Sequence, residues 1–106
     1  MGLDTIAECK DEFKKVKVVG DRTFNPGWNL AIDLRNMLTV SEAIARAASM
    51  REESRGGHTR LDFPKTDKEA WGKVNIAIRL HEDGAMTAVK TPLPQMPADL
   101  AQLLED

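Results

Sequence analysis

The stretch that decides the fold begins Asn25-Pro26-Gly27-Trp28-Asn29-Leu30-Ala31-Ile32-Asp33-Leu34-Arg35-Asn36-Met37-Leu38 and continues through Ser41-Glu42-Ala43-Ile44-Ala45-Arg46-Ala47-Ala48. It closes on Arg51-Glu52-Glu53-Ser54-Arg55-Gly56-Gly57-His58-Thr59-Arg60-Leu61-Asp62-Phe63-Pro64. Asn25 can accept hydrogen bonds from first-turn amides, and Pro26 suits the first helical position. Leu30, Leu34, Met37, Leu38, Ser41, Ile44, Ala45 and Ala48 then trace one face, while Asp33, Arg35, Asn36, Glu42, Arg46 and Arg51 occupy the other. This pattern predicts a helix from Pro26 to Glu52, roughly 40 Å long. Small residues at Ala43, Ala45, Ala47, Ala48 and Ser49 permit close approach of a neighbouring helix. An apolar face this wide requires partners on more than one side.

Upstream, Leu3, Ile6, Phe13 and Val16 recur at helical intervals among charged residues, predicting an amphipathic helix from about Leu3 to Val19. Gly20-Asp21-Arg22-Thr23 breaks the pattern. Downstream, Ser54-Arg55-Gly56-Gly57 ends the long helix, and an extended charged loop runs through Pro64. After Trp71, the residues Val74, Ile76, Ile78 and Leu80 alternate with Asn75, Ala77, Arg79 and His81, the period of a strand with one buried face. Glu82-Asp83-Gly84 signals a turn, and Ala85 to Lys90 reads as the return strand. Met86, Ala88 and Val89 leave the inward face of that second strand open. Pro92, Pro94 and Pro97 impose an irregular stretch before a short helix from Ala98 to Leu104. The expected fold is mainly α, a helical bundle over residues 1–64 followed by a small antiparallel β-hairpin and Pro-rich tail over 65–106, forming one domain.

Composition narrows the function. The chain has 106 residues, 42% hydrophobic and 30% charged, enough for one compact domain with a core. No run approaches the roughly 18 apolar residues of a membrane span, and no secretory signal is visible. A single cysteine, Cys9, excludes an internal disulfide and fits a reducing compartment. Two histidines and one cysteine are too few for a structural zinc site. A balance of 15 basic and 17 acidic residues speaks against general nucleic-acid binding. Neither a GxGxxG pattern nor a Walker-type loop occurs. Few nucleophile–base pairs are available, so a complete enzyme is not expected and no catalytic residue is assigned.

The stretch from Arg51 to Pro64 concentrates charge beside paired glycines. Arg55 and Arg60 offer forked donors, and the glycines permit close backbone approach, which suits anion binding or docking between domains. The competing reading is a helix C-cap followed by a solvated loop, with Arg51 and Arg55 favoured by the helix dipole. His58 has Asp62 and Ser54 nearby in sequence, but its expected role is structural, with ring nitrogens satisfied by backbone or carboxylate. Trp28 and Trp71 are expected as packing anchors, and Cys9 as a small half-buried residue.

Trp28-Asn29-Leu30, Asp33-Leu34-Arg35-Asn36-Met37-Leu38 and Ser41-Glu42-Ala43, leading into Glu53-Ser54-Arg55-Gly56-Gly57-His58-Thr59-Arg60 and Asp62-Phe63-Pro64, together resemble the C-terminal domain of succinate dehydrogenase and fumarate reductase flavoprotein subunits. L-aspartate oxidases end with a similar helix and Ser-Arg-Gly-x-His segment, but usually finish sooner after it, whereas the strand pair here continues as in the dehydrogenases and reductases. The common family form has Ala where Gly57 stands. The resemblance implies a spectrin-repeat-like bundle packed on a flavin domain, here expected to be incomplete, with at least one helix supplied from upstream. It implies FAD in the parent subunit and none in this chain, and partners in the flavin-binding portion and the iron–sulfur subunit. It further implies a cytoplasmic location, with the parent complex peripheral on the cytoplasmic face of the inner membrane. Within this frame Ser54, Arg55, Gly56, His58 and Arg60 are the expected docking residues. A homodimer through Leu30, Leu34, Met37 and Ile44 is expected of the isolated chain, and a free-standing helical interaction module is the competing class.

Overall fold

The computed structural model describes residues 2–98 and Leu100. Helix α1 covers Gly2–Phe13 and α2 covers Pro26–Met50; a 3-10 turn at Trp71–Lys73 leads into strand β1, Val74–Leu80, which pairs with β2, Met86–Pro92. The helical part followed by an antiparallel hairpin is the arrangement that the hydrophobic periods predict.

The first helix is shorter than its apolar spacing suggests. It stops at Phe13 rather than Val19, and the chain tightens through Lys14 N–H to Asp11 O (3.2 Å) and Lys15 N–H to Glu12 O (3.0 Å) before extending. Val16, Val18 and Val19 are β-branched and lose rotamer freedom in a helix, so an extended linker competes well here. That linker crosses the first turn of α2 closely. A Cβ on Gly27 would lie 2.9 Å from Val18 Cγ1, so the crossing depends on glycine at 27.

Asn25 caps α2 as its sequence position predicts, with Oδ1 accepting from Gly27 N–H at 3.0 Å. Its Nδ2 donates to Val19 O (2.8 Å) and Asp21 O (2.9 Å), so one side chain ties the linker to the helix start. Between the helices, Lys10 pairs with Glu42, which also accepts from Arg46 Nε at 2.7 Å. The Lys10 ammonium, with Arg46 beside it, holds the mostly buried Glu42 carboxyl below the usual range. Cys9 is exposed, not half-buried, because the α1–α2 contact runs along the Ile6–Lys10–Phe13 side of the helix.

Helix α2 ends at Met50, two residues before the expected Glu52 and well before the glycines. Arg51 already has extended backbone (φ −80°, ψ 113°), its N–H making the last bond to Ala47 O. In the hairpin, Val74, Ile76 and Ile78 form the sheltered face of β1, as alternation predicts. The pairing of Ile78 with Ala88 and Leu80 with Met86 settles the second strand: Met86 and Ala88 face inward and Val89 outward. Gly84, at φ 84°, allows the tight return, with His81 N–H bonded to Ala85 O at 2.8 Å. Among the described residues Trp71 (5% exposed), before β1, and Met86 (7%), at the start of β2, are the buried apolar side chains. Leu100 N–H donates to Pro97 O at 3.1 Å and Ala98 is helical; the rest of the expected terminal helix, Asp99 and 101–104, lies outside the described residues.

Candidate functional site

Between α2 and the hairpin, residues 51–67 fold into a loop organised around Glu53. Once the chain leaves the helix at Arg51, it is extended, and side chains two apart share a face. Arg51, Glu53 and Arg55 therefore project together. Glu53 has no exposed surface. Its carboxylate receives Arg55 Nε at 2.8 Å and Nη2 at 3.1 Å, an Arg51 guanidinium N–H, and the Asp67 N–H at 2.8 Å. Burial opposes its ionisation, but the Arg55 fork, the Asp67 amide and Arg51 prevail and bring its pKa from the ordinary 4.5 to about 2. A buried carboxylate with this many donors is fully paired, as burial of a charge demands.

The clamp reaches toward the hairpin. Arg55 Nη2 also donates to Asp67 O at 3.0 Å. The Arg51 guanidinium carbon lies 5.2 Å from the Trp71 ring centre, and Lys90 Nζ of β2 lies 3.8 Å from it. Trp71 is thus the packing anchor expected of it, placed between two cations. Trp28, by contrast, has Arg22 over its ring at 5.0 Å and a buried Nε1 that lacks a hydrogen-bond partner.

A second set of contacts shapes the outer part of the loop. Ser54 Oγ donates to Phe63 O at 2.8 Å and accepts from Arg60 N–H at 2.9 Å, while Thr66 Oγ1 donates to Ser54 O at 2.6 Å. Arg60 pairs with Asp62 through Nε at 2.7 Å and Nη2 at 2.5 Å. Its Nη1 turns to the end of α2, donating to Ser49 O (3.0 Å), Arg51 O (3.1 Å) and Ala48 O (3.3 Å). Arg60 is therefore the cation at the negative end of the helix, a place that the sequence assigned to Arg51 and Arg55. Hydrogen bonding from Arg60 holds the Asp62 carboxyl down, from 3.8 to about 2.

At the tip, Arg55 and His58 exchange backbone bonds (2.8 and 3.0 Å) around Gly56-Gly57. Gly56 has φ 56°, whereas Gly57 lies outside the positive region and a Cβ there would meet nothing within 4 Å. The first glycine is required by the turn, whereas the second has room for a methyl group at an ordinary φ. His58 Nε2 sits 3.4 Å from Arg51 O, a backbone contact that matches its structural role.

The five residues singled out in the sequence thus fall in one loop, but with unequal exposure. Ser54, His58 and Arg60 are half-buried and turned to internal partners, while Arg55 and Gly56 are exposed. Sequence reasoning missed Glu53 as the centre. Its signal was the Arg-x-Glu-x-Arg spacing, which has meaning only in an extended chain and was hidden by carrying the helix through Glu52.

A cleft of about 550 Å³ between α1 and α2 is lined by Glu8, Cys9, Glu12, Phe13, Val16, Leu34 and Leu38, apolar within and with carboxylates at its edge. Among the described residues, no group of three or more His, Cys, Asp or Glu side chains is placed to hold a metal.

A helix pair joined to a β-hairpin by a charge-clamped loop is the class of domain that these residues build. Residues 1–101 match the family of fumarate reductase flavoprotein C-terminal domains, and the chain belongs to that family. It is 34% identical over 92 residues to the fumarate reductase flavoprotein subunit of Haemophilus influenzae, covering 86% of this chain and 15% of that protein. It is 48% identical over 72 residues to the corresponding subunit of Mycobacterium tuberculosis, covering 68% of this chain and 12% of that protein. Among solved structures, Mycobacterium smegmatis Sdh1 in complex with UQ1 superposes with a TM-score of 0.84 at 43% identity, over 97% of this chain and 18% of that one. An Escherichia coli quinol fumarate reductase superposes at 0.78 and 28% identity, over 90% of this chain and 17% of that one. The chain therefore spans less than a fifth of the length of these relatives.

Proposed function

We propose that this chain is the part of a succinate dehydrogenase or fumarate reductase flavoprotein that braces the flavin-binding portion and presents a surface to the iron–sulfur subunit. The parent reaction is the interconversion of succinate and fumarate on FAD, with electrons passing to the iron–sulfur partner. The complex sits at the cytoplasmic face of the inner membrane; among the described residues, no helix is long and apolar enough to cross it. The chemistry belongs to the rest of the subunit, and the role here is mechanical.

The carrying observation is the clamped loop itself. Glu53 fixes the backbone on either side of an exposed tip, so the loop offers a preformed surface and little ordering entropy is lost on docking. In this reading Ser54, His58 and Arg60 hold the shape of the loop, and Arg55 and Gly56 with their neighbours make the contact. Arg55 retains 42% of its side-chain surface while bonded to Glu53, so it can meet a carboxylate or carbonyl on the flavin-binding portion. By itself the chain pairs with a second copy.

The test is Arg55→Ala in the full-length subunit, with flavin content and co-purification of the iron–sulfur subunit as readouts and thermal melting of the 106-residue chain as the control for folding. Loss of flavin or of assembly beyond what the melting change explains supports the role. Unchanged stability, flavin and assembly would sink it.

A further inference from the structure

One aromatic side chain stands where the backbone resists it. Phe24, in the linker before α2, has φ 52°, a left-handed conformation that is an outlier for a bulky residue. Its ring is fully exposed (101%), so among the described residues it gains no cover in return. Asparagine or glycine would hold this turn at lower cost. The loop around it is nevertheless firmly set. Asn25 Nδ2 donates to Val19 O (2.8 Å) and Asp21 O (2.9 Å), and the Thr23 N–H donates to Asp21 Oδ1 at 3.0 Å. The Arg22 guanidinium lies 5.0 Å from the Trp28 ring centre, so both flanks of Phe24 are tied to the start of α2. Val19 (91% exposed) and Leu30 (69%) line one shallow cleft with Asn25 and extend the apolar surface. Strain that the surrounding structure enforces, on a residue that presents a bare aromatic ring, marks a contact whose other half lies elsewhere.

We propose that Phe24 is an anchor that inserts into an apolar pocket on the flavin-binding portion of the same subunit. The inference rests on the flavoprotein reading but on a surface separate from the charged loop. Size selects a tethered occupant. A buried phenylalanine removes about 150–250 Å² from water. Even with Val19 and Leu30 beside it, the patch falls short of the about 800 Å² per partner that a stable complex of separate chains buries. A covalently joined partner needs far less, because its effective concentration is of millimolar order. The chain spans less than a fifth of the length of its relatives, so most of the subunit is available as that partner. The preset loop lowers the ordering entropy of insertion, and the polar side chains of Asp21, Arg22 and Thr23 supply a rim around the ring. Phe24 and the Glu53 loop stand at opposite ends of α2, so contacts at both oppose rotation of the domain in a way that neither does alone.

The experiment places Phe24→Asn, which suits the backbone and removes the ring, in two settings. In the 106-residue chain the ring has no partner, so relief of strain is expected to raise the Tm by about 4 °C or more. In the full-length subunit the same substitution is expected to speed amide hydrogen exchange over residues 19–25 by about tenfold. Phe24→Trp, which keeps an aromatic ring, should keep exchange slow there. A photo-cross-link identifies the occupant. With p-benzoylphenylalanine in place of Phe24, irradiation of the subunit bound to its iron–sulfur partner is expected to join position 24 to the flavin-binding portion of the same chain. A cross-link to the iron–sulfur subunit or to a second copy, or no cross-link, overturns the proposal. So does a Phe24→Asn that destabilises the 106-residue chain, or one that leaves exchange in the subunit unchanged. Failure of the Arg55→Ala assay would remove the charged loop as a contact and leave these readouts untouched.

Discussion

Arg55 grips Glu53, two residues before it, through both Nε (2.8 Å) and Nη2 (3.1 Å), and does so where Glu53 has no contact with solvent. A bidentate fork on a buried carboxylate leaves little freedom to either side chain. Removing the charge while keeping the shape isolates its contribution. We expect Glu53→Gln to lower the melting temperature of the chain by more than about 10 °C, because Arg51 and Arg55 then face a buried amide in place of a carboxylate. Arg55→Lys, which keeps charge but loses the fork, should fall between the two. Melting followed by circular dichroism checks both.

Acid should release the same clamp. Glu53 and Asp62 have folded pKa values of about 2, below their ordinary 4.5 and 3.8. The folded state therefore binds protons less readily than the unfolded one. The stability they add is fully present above about pH 5 and is lost as pH falls from there toward 2. Urea midpoints measured between pH 7 and pH 2 should decline mostly below pH 5, and Glu53→Gln should flatten that decline. A midpoint independent of pH in this window would contradict the assignment.

The paired glycines should respond oppositely to alanine. Gly56→Ala forces a Cβ into positive φ and is expected to cost about 1–2 kcal/mol. Gly57→Ala meets open space at ordinary φ, so its effect should lie between no change and a gain of about 0.4–1 kcal/mol from the unfolded state. Equal losses at both positions would refute the turn geometry.

At the other end of α2, Asn25→Ala removes an N-cap acceptor and two bonds to the linker. A loss of about 1–2 kcal/mol is expected, with faster amide hydrogen exchange confined to the first turn and to residues 19–28. Asn25→Ser, which retains the cap but not the reach to Val19 and Asp21, should recover part of it.

Several elements are plain in the sequence because one force dominates each. The start of α2 follows from Asn25-Pro26, its length from the apolar period, and β1 from strict alternation at Val74, Ile76 and Ile78. The same reasoning fails where two forces compete. Val16 fits the helical stripe, yet three valines within four positions favour extension, and α1 stops at Phe13. Arg51 and Glu52 are good helix formers, but the loop contacts of Arg51 and Glu53 outweigh propensity, and α2 stops at Met50. Arg60 reaches back to carbonyls nine to twelve residues earlier, a partnership no local pattern records. The charged loop stands out by its composition, but its centre does not, since Glu53 acquires its meaning only from the extended backbone on either side.

Helix α2 is pinned at both ends. Near Met50, Arg60 grips its carbonyls, and the Glu53 clamp and Trp71 hold the adjoining chain beside the hairpin. At Pro26, Asn25 binds both the first turn and the linker, and α1 braces the helix through Lys10 and Glu42. Fixed in this way, α2 is a strut whose length of about 37 Å sets the spacing between the linker and the charged loop.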